Sequence, residues 1–258
     1  MFCVQIAGVL VAIENRYAFT ERLCADYIVD ISTDGCAFLV SATPEEIAAE
    51  NNDEGAFSPA YCESLALYRK MCTRLLDYDA FLFHAAVVSY AGRGYAFAAK
   101  SGTGKSTHVA QWMHALGNRV MVVNGDKPIL RWCGGEGAGA AGGEGYRAPG
   151  AFLAYGTPYC GKESWGQNTS VPLRAVCFIE RCKPGEPDCL KRLEDDGEII
   201  NRMMNQILLP KDPVLAVRQL DLLDRLVTSV PFYVLRCTPT RAAFDAAFQM
   251  TLCDNENE

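Results

Sequence analysis

The stretch from Gly94 to Leu116 constrains this chain more than any other part of it. Gly94-Tyr-Ala-Phe-Ala-Ala99 is short and apolar and reads as a buried strand, Lys100-Ser-Gly-Thr-Gly-Lys-Ser-Thr107 follows directly, and Val109, Trp112, Met113 and Leu116 then recur at helical spacing. A strand that passes into a helix through a glycine-rich hinge has few ways to fold. Gly102 and Gly104 let successive backbone N–H groups curl inward as an anion nest, Lys105 brings a point charge, and Ser106 offers a hydroxyl to Mg²⁺. The positive end of the helix aims at the same place. Ser101, Gly102, Thr103, Gly104, Lys105, Ser106 and Thr107 are therefore the expected binding residues for the phosphates of a nucleotide such as ATP. The pattern G-x-x-x-x-G-K-[ST] asks for glycine where this chain has Ala99.

Any such site must be a local basic focus, because the 258-residue chain has a formal net charge of −7. That charge argues against a general nucleic-acid or anionic-membrane binder. The longest apolar stretches, Val4 to Ile13 and Ala80 to Val88, fall short of the ~20 residues that span a bilayer. Met1-Phe-Cys-Val-Gln-Ile6 lacks the basic start of a secretory signal, so a cytoplasmic location is expected. The 12 cysteines are scattered singly with no Cys-x-x-Cys pair, which reads as small buried residues in a reducing compartment rather than a disulfide framework or a zinc site.

Residues 1–79 read as a small N-terminal α+β segment packed on the core, and 80–258 as an α/β domain that carries the glycine turn. The first part has β-like runs at Val4 to Ile13, Asp26 to Ile31 and Cys36 to Val40, a short helix capped at Thr43 and running to Ala49, and a longer helix from Ser58. It carries no evident chemistry. The second part opens with a strand from Phe81 to Ser89, a Gly92-Arg-Gly94 turn, the strand–turn–helix unit, and a strand Val120 to Val123 ending at Asn124-Gly-Asp126. Between Cys133 and Gly150 the chain is rich in glycine and alanine, a hairpin tip or mobile loop with a lid as the alternative. Beyond it come a strand Arg174 to Glu180, helices Asp195 to Leu209 and Asp212 to Leu226, a strand Phe232 to Cys237 and a terminal helix Thr240 to Leu252.

Asp126 ends an apolar strand shortly after the glycine-turn helix, where nucleotide-binding folds put an acid that holds Mg²⁺. A carboxylate there is also placed to accept the proton of an attacking hydroxyl. His84 lies inside Phe81-Leu-Phe-His-Ala-Ala-Val-Val88, where on the residues alone a core histidine is the better reading. The polar block Gly156 to Leu173 is rich in large functional side chains, with Lys162 its expected phosphate contact and a structural crossover the equal alternative. Arg147 and Arg181 are weaker candidates to offset phosphate charge, and His108 and His114 are given no role. Asn124-Gly-Asp-Lys127 permutes the letters of a guanine-reading motif without its spacing, which disfavours a GTPase.

Taken together, Phe83-His-Ala-Ala-Val-Val88, Ser101-Gly-Thr-Gly-Lys-Ser106 and Gly125-Asp126 resemble the catalytic domain of HPr kinase/phosphorylase and its kinase-like relatives. The text Ser-Gly-Thr-Gly-Lys is also similar to ATP-dependent phosphoenolpyruvate carboxykinases. The resemblance covers residues 80–130, and more weakly the chain to 250. It implies a twisted mixed β-sheet with flanking helices, a bound ATP with Mg²⁺, and phosphoryl transfer to a hydroxyl. Position by position, Lys105 and Ser106 would hold phosphates and metal, Asp126 would be metal ligand or base, and His84 would lie close to the reacting hydroxyl. The family's acid pair is Gly125-Asp126 here, the signature that engages HPr is not found, and residues 1–79 do not resemble that family's N-terminal domain. The expected partner is thus a serine-type hydroxyl of a peptide or small molecule, with self-association left open. The alternatives are a non-catalytic ATP-binding regulatory module, or a carboxykinase-like enzyme acting on a small carboxylic acid, with Arg147, Lys162 and Arg174 as its basic residues.

Overall fold

The computed structural model describes residues 1–51, 57–134, 150–183 and 185–252. Arg147 and nearly all of the glycine-rich stretch therefore lie outside the described residues. Two sheets organise the chain. The smaller has four strands in the order β3-β1-β2-β4, where β1 is Phe2–Ile6, β2 Val9–Glu14, β3 Ile28–Val29 and β4 Phe38–Ser41. The apolar run Val4 to Ile13 is a hairpin rather than one strand, because Ala7 and Gly8 turn it with φ of +50° and +73°. Helices α1 (Ala18–Leu23), α2 (Pro44–Ala49) and α3 (Pro59–Leu75) complete this part. Thr43 and Glu46 form a reciprocal capping box on α2, and the Ser58 hydroxyl caps α3 just ahead of Pro59.

The larger sheet contains β5 (Ala80–Leu82), β6 (Ala85–Tyr90), β7 (Arg93–Ala98), β8 (Val120–Asn124), β9 (Ile129–Cys133), β10 (Ala151–Tyr155), β11 (Ser170–Arg181), β12 (Cys189–Leu193) and β13 (Phe232–Cys237). Its main path runs β5-β9-β10-β11-β7-β6-β8, and β13 adds to β11 in parallel while β12 pairs antiparallel with β13. The 12-residue β11 joins the halves, since its first residues pair with β10 and its later ones with β7 and β13. The sheet is mixed and flanked by helices on both faces: α4 (Lys105–Leu116) and α7 (Arg241–Phe248) on one, α5 (Asp196–Met204) and α6 (Pro213–Ser229) on the other.

Alternating residues of the central strands feed the two cores, Ala96 and Ala98 on one face of β7 and Tyr95 and Phe97 on the other. That double burial is why β6, β7 and β11 read as unbroken apolar runs. A third cluster forms around α3 and takes in Ala80, Ile129 and Tyr159, so the small sheet and the large one share apolar packing.

The register fixes where chemistry can gather. Ala85 at the start of β6 pairs with Ala98 at the end of β7, and Val87 pairs with Asn124 at the end of β8. Since β6 runs antiparallel to both neighbours, the residues before β6, after β7 and after β8 emerge at one sheet edge. Those residues are His84, the glycine turn and Asp126.

Sequence and structure differ at His84. The run Phe81 to Ser89 is two strands, β5 and β6, that join different parts of the sheet, and Phe83-His84 is the break between them. His84 N–H donates to Gln206 O at 2.6 Å instead of to a sheet neighbour. The hairpin between β6 and β7 likewise turns at Ala91-Gly92, earlier than expected. Strands β9, β10 and β12 were not legible as separate elements.

The core under α4 centres on Trp112, fully buried against Tyr95, Phe97 and Phe244 at ring-centroid distances of 5.8, 5.5 and 5.3 Å. Trp112→Ala leaves a cavity directly behind the glycine turn, and the expected loss is about 3–5 kcal/mol. Urea unfolding checks this as a lower midpoint with an unchanged slope.

Candidate functional site: a lysine-lined cleft around Asp126

Between β7 and α4 the glycine turn needs its glycines: Gly102 and Gly104 take φ of +74° and +121°, a region that L side chains rarely adopt. Gly104 is the N-cap residue of α4 and no side chain caps the helix. The orphan N–H groups of its first turn are thus left for a ligand. Arg181, at the end of β11, braces the turn through its guanidinium, with Nε donating to Thr103 O at 3.1 Å and Nη2 to Gly102 O. Arg181 therefore serves the turn's carbonyls.

Asp126 faces the turn from the end of β8. Its Oδ1 lies 3.0 Å from His84 Nε2 and 3.4 Å from Lys105 Nζ, and its Oδ2 lies 3.1 Å from Lys127 Nζ. A carboxylate only accepts, so His84 Nε2 carries the hydrogen of this bond. Burial alone would raise the Asp126 pKa, but the His84 hydrogen bond and the charges of Lys127 and Lys105 outweigh it and hold the group well below the ordinary range. Lys105, with 11% of its side chain exposed, is pulled down by burial while Asp126 works against that pull.

Asn124 sets this geometry. It is fully buried, and its Oδ1 accepts from Asp126 N–H at 2.9 Å and Lys127 N–H at 2.7 Å. Its Nδ2 donates to Thr157 O and Thr157 Oγ1, both at 3.1 Å, which ties the turn to the loop after β10. Thr157 Oγ1 and Tyr68 Oη each donate to Lys127 O at 2.8 Å. The Asn124-Gly-Asp-Lys127 text thus spends its asparagine on structure.

Gly125 has a steric reason. A Cβ there would stand 2.7 Å from Cys160 O and 3.2 Å from Trp165 O, so the crossover loop closes the position where an acid pair would have its second carboxylate. The same loop approaches Asp126 at Gly161, whose Cβ would sit 3.2 Å from the Asp126 Cβ. The hydrogen bonds of the block Gly156 to Leu173 are structural, while Lys162 and Glu163 line the cleft.

These residues enclose a cleft of about 1000 Å³. Its lining includes Ser101, Gly102, Gly104, Lys105, Ser106, Thr107, His84, Asp126 and Lys162, nine of the residues picked out from sequence. Thr103 does not line it, and neither does Arg174. Lys100 and Lys127 add charge that the sequence reading missed, and they place a cationic focus inside an acidic protein. Lys127 was findable, being next to Asp126. The apolar part of the lining, Phe19, Leu23, Phe57 and Tyr61, comes from the N-terminal segment, in which the sequence shows no evident chemistry. His108 points into the core, where its Nε2 accepts from Trp112 Nε1 at 3.1 Å and burial lowers its pKa to about 4.

Among the described residues no group of three or more His, Cys, Asp or Glu side chains is arranged to hold a metal ion. No helix there is long and apolar enough to cross a membrane. Fold and site together define a mixed α/β protein with an anion-ready cleft at one sheet edge. No family model matches the chain, and no curated protein matches it. Among solved structures, the Hpr(Ser) kinase/phosphatase from Coxiella burnetii is similar over 68% of this chain and 89% of its own, at 11% identity and a TM-score of 0.32. So weak a likeness says nothing about activity, and the chemistry is read from the cleft.

Because the Asp126 pKa is depressed in the folded chain, ionisation of this group stabilises the fold above the unfolded value of about 3.9. That stabilisation shrinks as pH falls below it toward the folded value. An Asn at 126 cannot titrate. The urea midpoint of Asp126→Asn should therefore fall below wild type at pH 7, with a gap that narrows toward pH 3.5, and a constant gap would contradict the placement.

Proposed function

We propose that this chain is an ATP- and Mg²⁺-dependent phosphotransferase acting on a serine-type hydroxyl of a peptide or small molecule, with a nucleotide-binding fold of the HPr kinase and phosphoenolpyruvate carboxykinase type. One observation carries the reading: the uncapped N-terminus of α4, Lys105, Asp126 and His84 open into a single cleft. In this reading residues 80–258 supply the transfer machinery and residues 1–79 a wall of the cleft.

The residues fit the group they would hold. Orphan amides of Lys105, Ser106 and Thr107 and the Lys105 ammonium suit phosphate oxygens, while the Ser106 hydroxyl and an Asp126 kept ionised are hard oxygen donors for Mg²⁺. Mg²⁺ usually takes one or two protein oxygens and completes its shell with phosphates and water, which suits a site without a three-ligand protein cage. When bound, it neutralises charge on the transferring group.

The chain's own residues then divide the work. Lys105 leaves Asp126 for phosphate, which removes one of the cations that hold the carboxylate acidic. His84 keeps its bond to Oδ1 and fixes the carboxylate's orientation toward the acceptor. A carboxylate this acidic is a poor base, but a loose transition state asks for little proton removal before transfer, so Asp126 serves chiefly to orient the hydroxyl.

A second reading has its own support. Lys100, Lys127 and Lys162 line the cleft beside Lys105, the cluster expected of a carboxykinase-like enzyme acting on a small carboxylic acid. Transfer of label from γ-labelled ATP with Mg²⁺ into a cell extract separates the two by the chemical class of the labelled product. Lys105→Ala should lower turnover by roughly 10²-fold or more. Asp126→Asn should keep ATP binding and lose transfer. Unchanged turnover in Lys105→Ala would sink the assignment, and tight ATP binding with no transfer even in wild type would select a regulatory module.

A further inference from the structure

The cleft lining is of two unlike kinds. One is the phosphate-type groups, and the other is the apolar set Phe19, Leu23, Phe57 and Tyr61. The aromatic rings form a connected set, with Phe19 edge-on to Tyr61 at 6.1 Å between centroids and Phe57 tilted against Tyr61 at 5.2 Å. Phe57 is 41% exposed although it touches an aromatic neighbour, so apolar surface is presented to the cleft rather than consumed by the core.

The wall is attached to a particular end of the site. Tyr61 is on α3, and α3 is locked to the Asp126 end by two hydrogen bonds, Tyr68 Oη to Lys127 O at 2.8 Å and Tyr159 Oη to Ser64 O at 2.7 Å. Tyr68 and Tyr159 also stack at 3.9 Å, and Tyr159 leads through Cys160 to Gly161, which abuts Asp126. α1, which carries Phe19 and Leu23, is held to the same helix. The buried Glu63 of α3 accepts from the Arg16 and Tyr17 amides at 2.6 and 3.0 Å, just before α1 begins. The glycine turn, by contrast, is braced at its far side by Arg181 of β11. The apolar wall is thus tied through α3 to the segment that carries Asp126, the residue that orients the acceptor in the phosphotransferase reading.

We infer that the aromatic wall of Phe19, Phe57 and Tyr61 is a specificity pocket for the acceptor, which carries a large apolar or aromatic group beside the hydroxyl that receives the phosphoryl group. The inference rests on the phosphotransferase reading above. In the transfer the acceptor oxygen bonds to the γ-phosphorus, the bond from that phosphorus to the bridging oxygen of ADP breaks, and the hydroxyl proton leaves to solvent or Asp126. An aromatic group against such a wall gains buried apolar area and edge or offset ring contacts that an acidic or lysine side chain cannot match.

The test uses the full chain and two dipeptide probes, N-acetyl-Phe-Ser-amide and N-acetyl-Asp-Ser-amide, with calorimetry for binding and γ-labelled ATP for transfer. The phenylalanyl probe should bind about tenfold or more tightly than the aspartyl one. That preference should vanish in Phe57→Ser, an exposed position, and in Phe19→Ala, while affinity for MgATP stays within about twofold of wild type. 3-Phenyl-1-propanol, run as a competitor, tells a small aromatic alcohol from a peptide as the source of the group. Equal binding of the two dipeptides overturns the inference. So does a tenfold loss of MgATP affinity in both wall variants, which would give the wall to the nucleobase instead. Failure of the phosphotransferase reading itself shows elsewhere, as MgATP binding that Lys105→Ala leaves unchanged.

Discussion

The side chain of Asn124 is the interaction on which the rest of the site depends. One buried amide accepts from two successive N–H groups and donates to both oxygens of Thr157, so it holds the Asp126 turn and the crossover loop as one unit. Asn124 is the last residue of β8 to pair with β6, through Val87, and it also bridges Gly166 of the crossover loop. Buried polar groups that are fully satisfied specify a unique geometry, and a half-satisfied one would cost more than an apolar replacement. Asp126 consequently needs no support from its own packing: its backbone is fixed from below, and its carboxylate is free to gather His84, Lys105 and Lys127.

The second constraint is the register of β6 between β7 and β8. Antiparallel pairing on both sides brings one strand start and two strand ends to the same edge, which is how residues 84, 101–107 and 126 meet although they lie far apart in sequence. The break at His84 is part of this. Had the apolar run continued as one strand, His84 would have been committed to the ladder. Its N–H goes instead to Gln206 O, which turns the residue out of the sheet at the mouth of the cleft.

Much of this was legible in the sequence and some was not, for physical reasons. The strand–turn–helix unit was readable because φ-positive glycines, a lysine and an amphipathic helix leave local marks at Gly102, Gly104, Lys105 and Trp112. Helices α2 and α3 announced themselves through Thr43, Ser58 and the prolines that follow. The hairpin at Ala7-Gly8 and the break at Phe83-His84 were hidden, because uninterrupted apolar residues look alike whether they run straight or turn. The wall of Phe19, Phe57 and Tyr61 was invisible for a different reason. Aromatic residues in a small helical segment signal a core, and only the tertiary placement of α3 turns them toward the lysines.

Gly125 is dictated by packing against the crossover loop. Position 125 has no room for a side chain, since the carbonyl oxygens of Cys160 and Trp165 stand 2.7 and 3.2 Å from where a Cβ would be. The crossover loop occupies that space and supplies Lys162 and Glu163 to the cleft in its place. Asp126 must then be kept ionised and aimed without an acid at the adjacent position 125. His84 and the flanking lysines do both: they keep the charge on Asp126 against the pull of burial, and they pin its two oxygens from different directions. In the reading proposed above, Lys105 turns to the phosphates while His84 stays on Oδ1, so the carboxylate keeps its aim when one of its cations is drawn away.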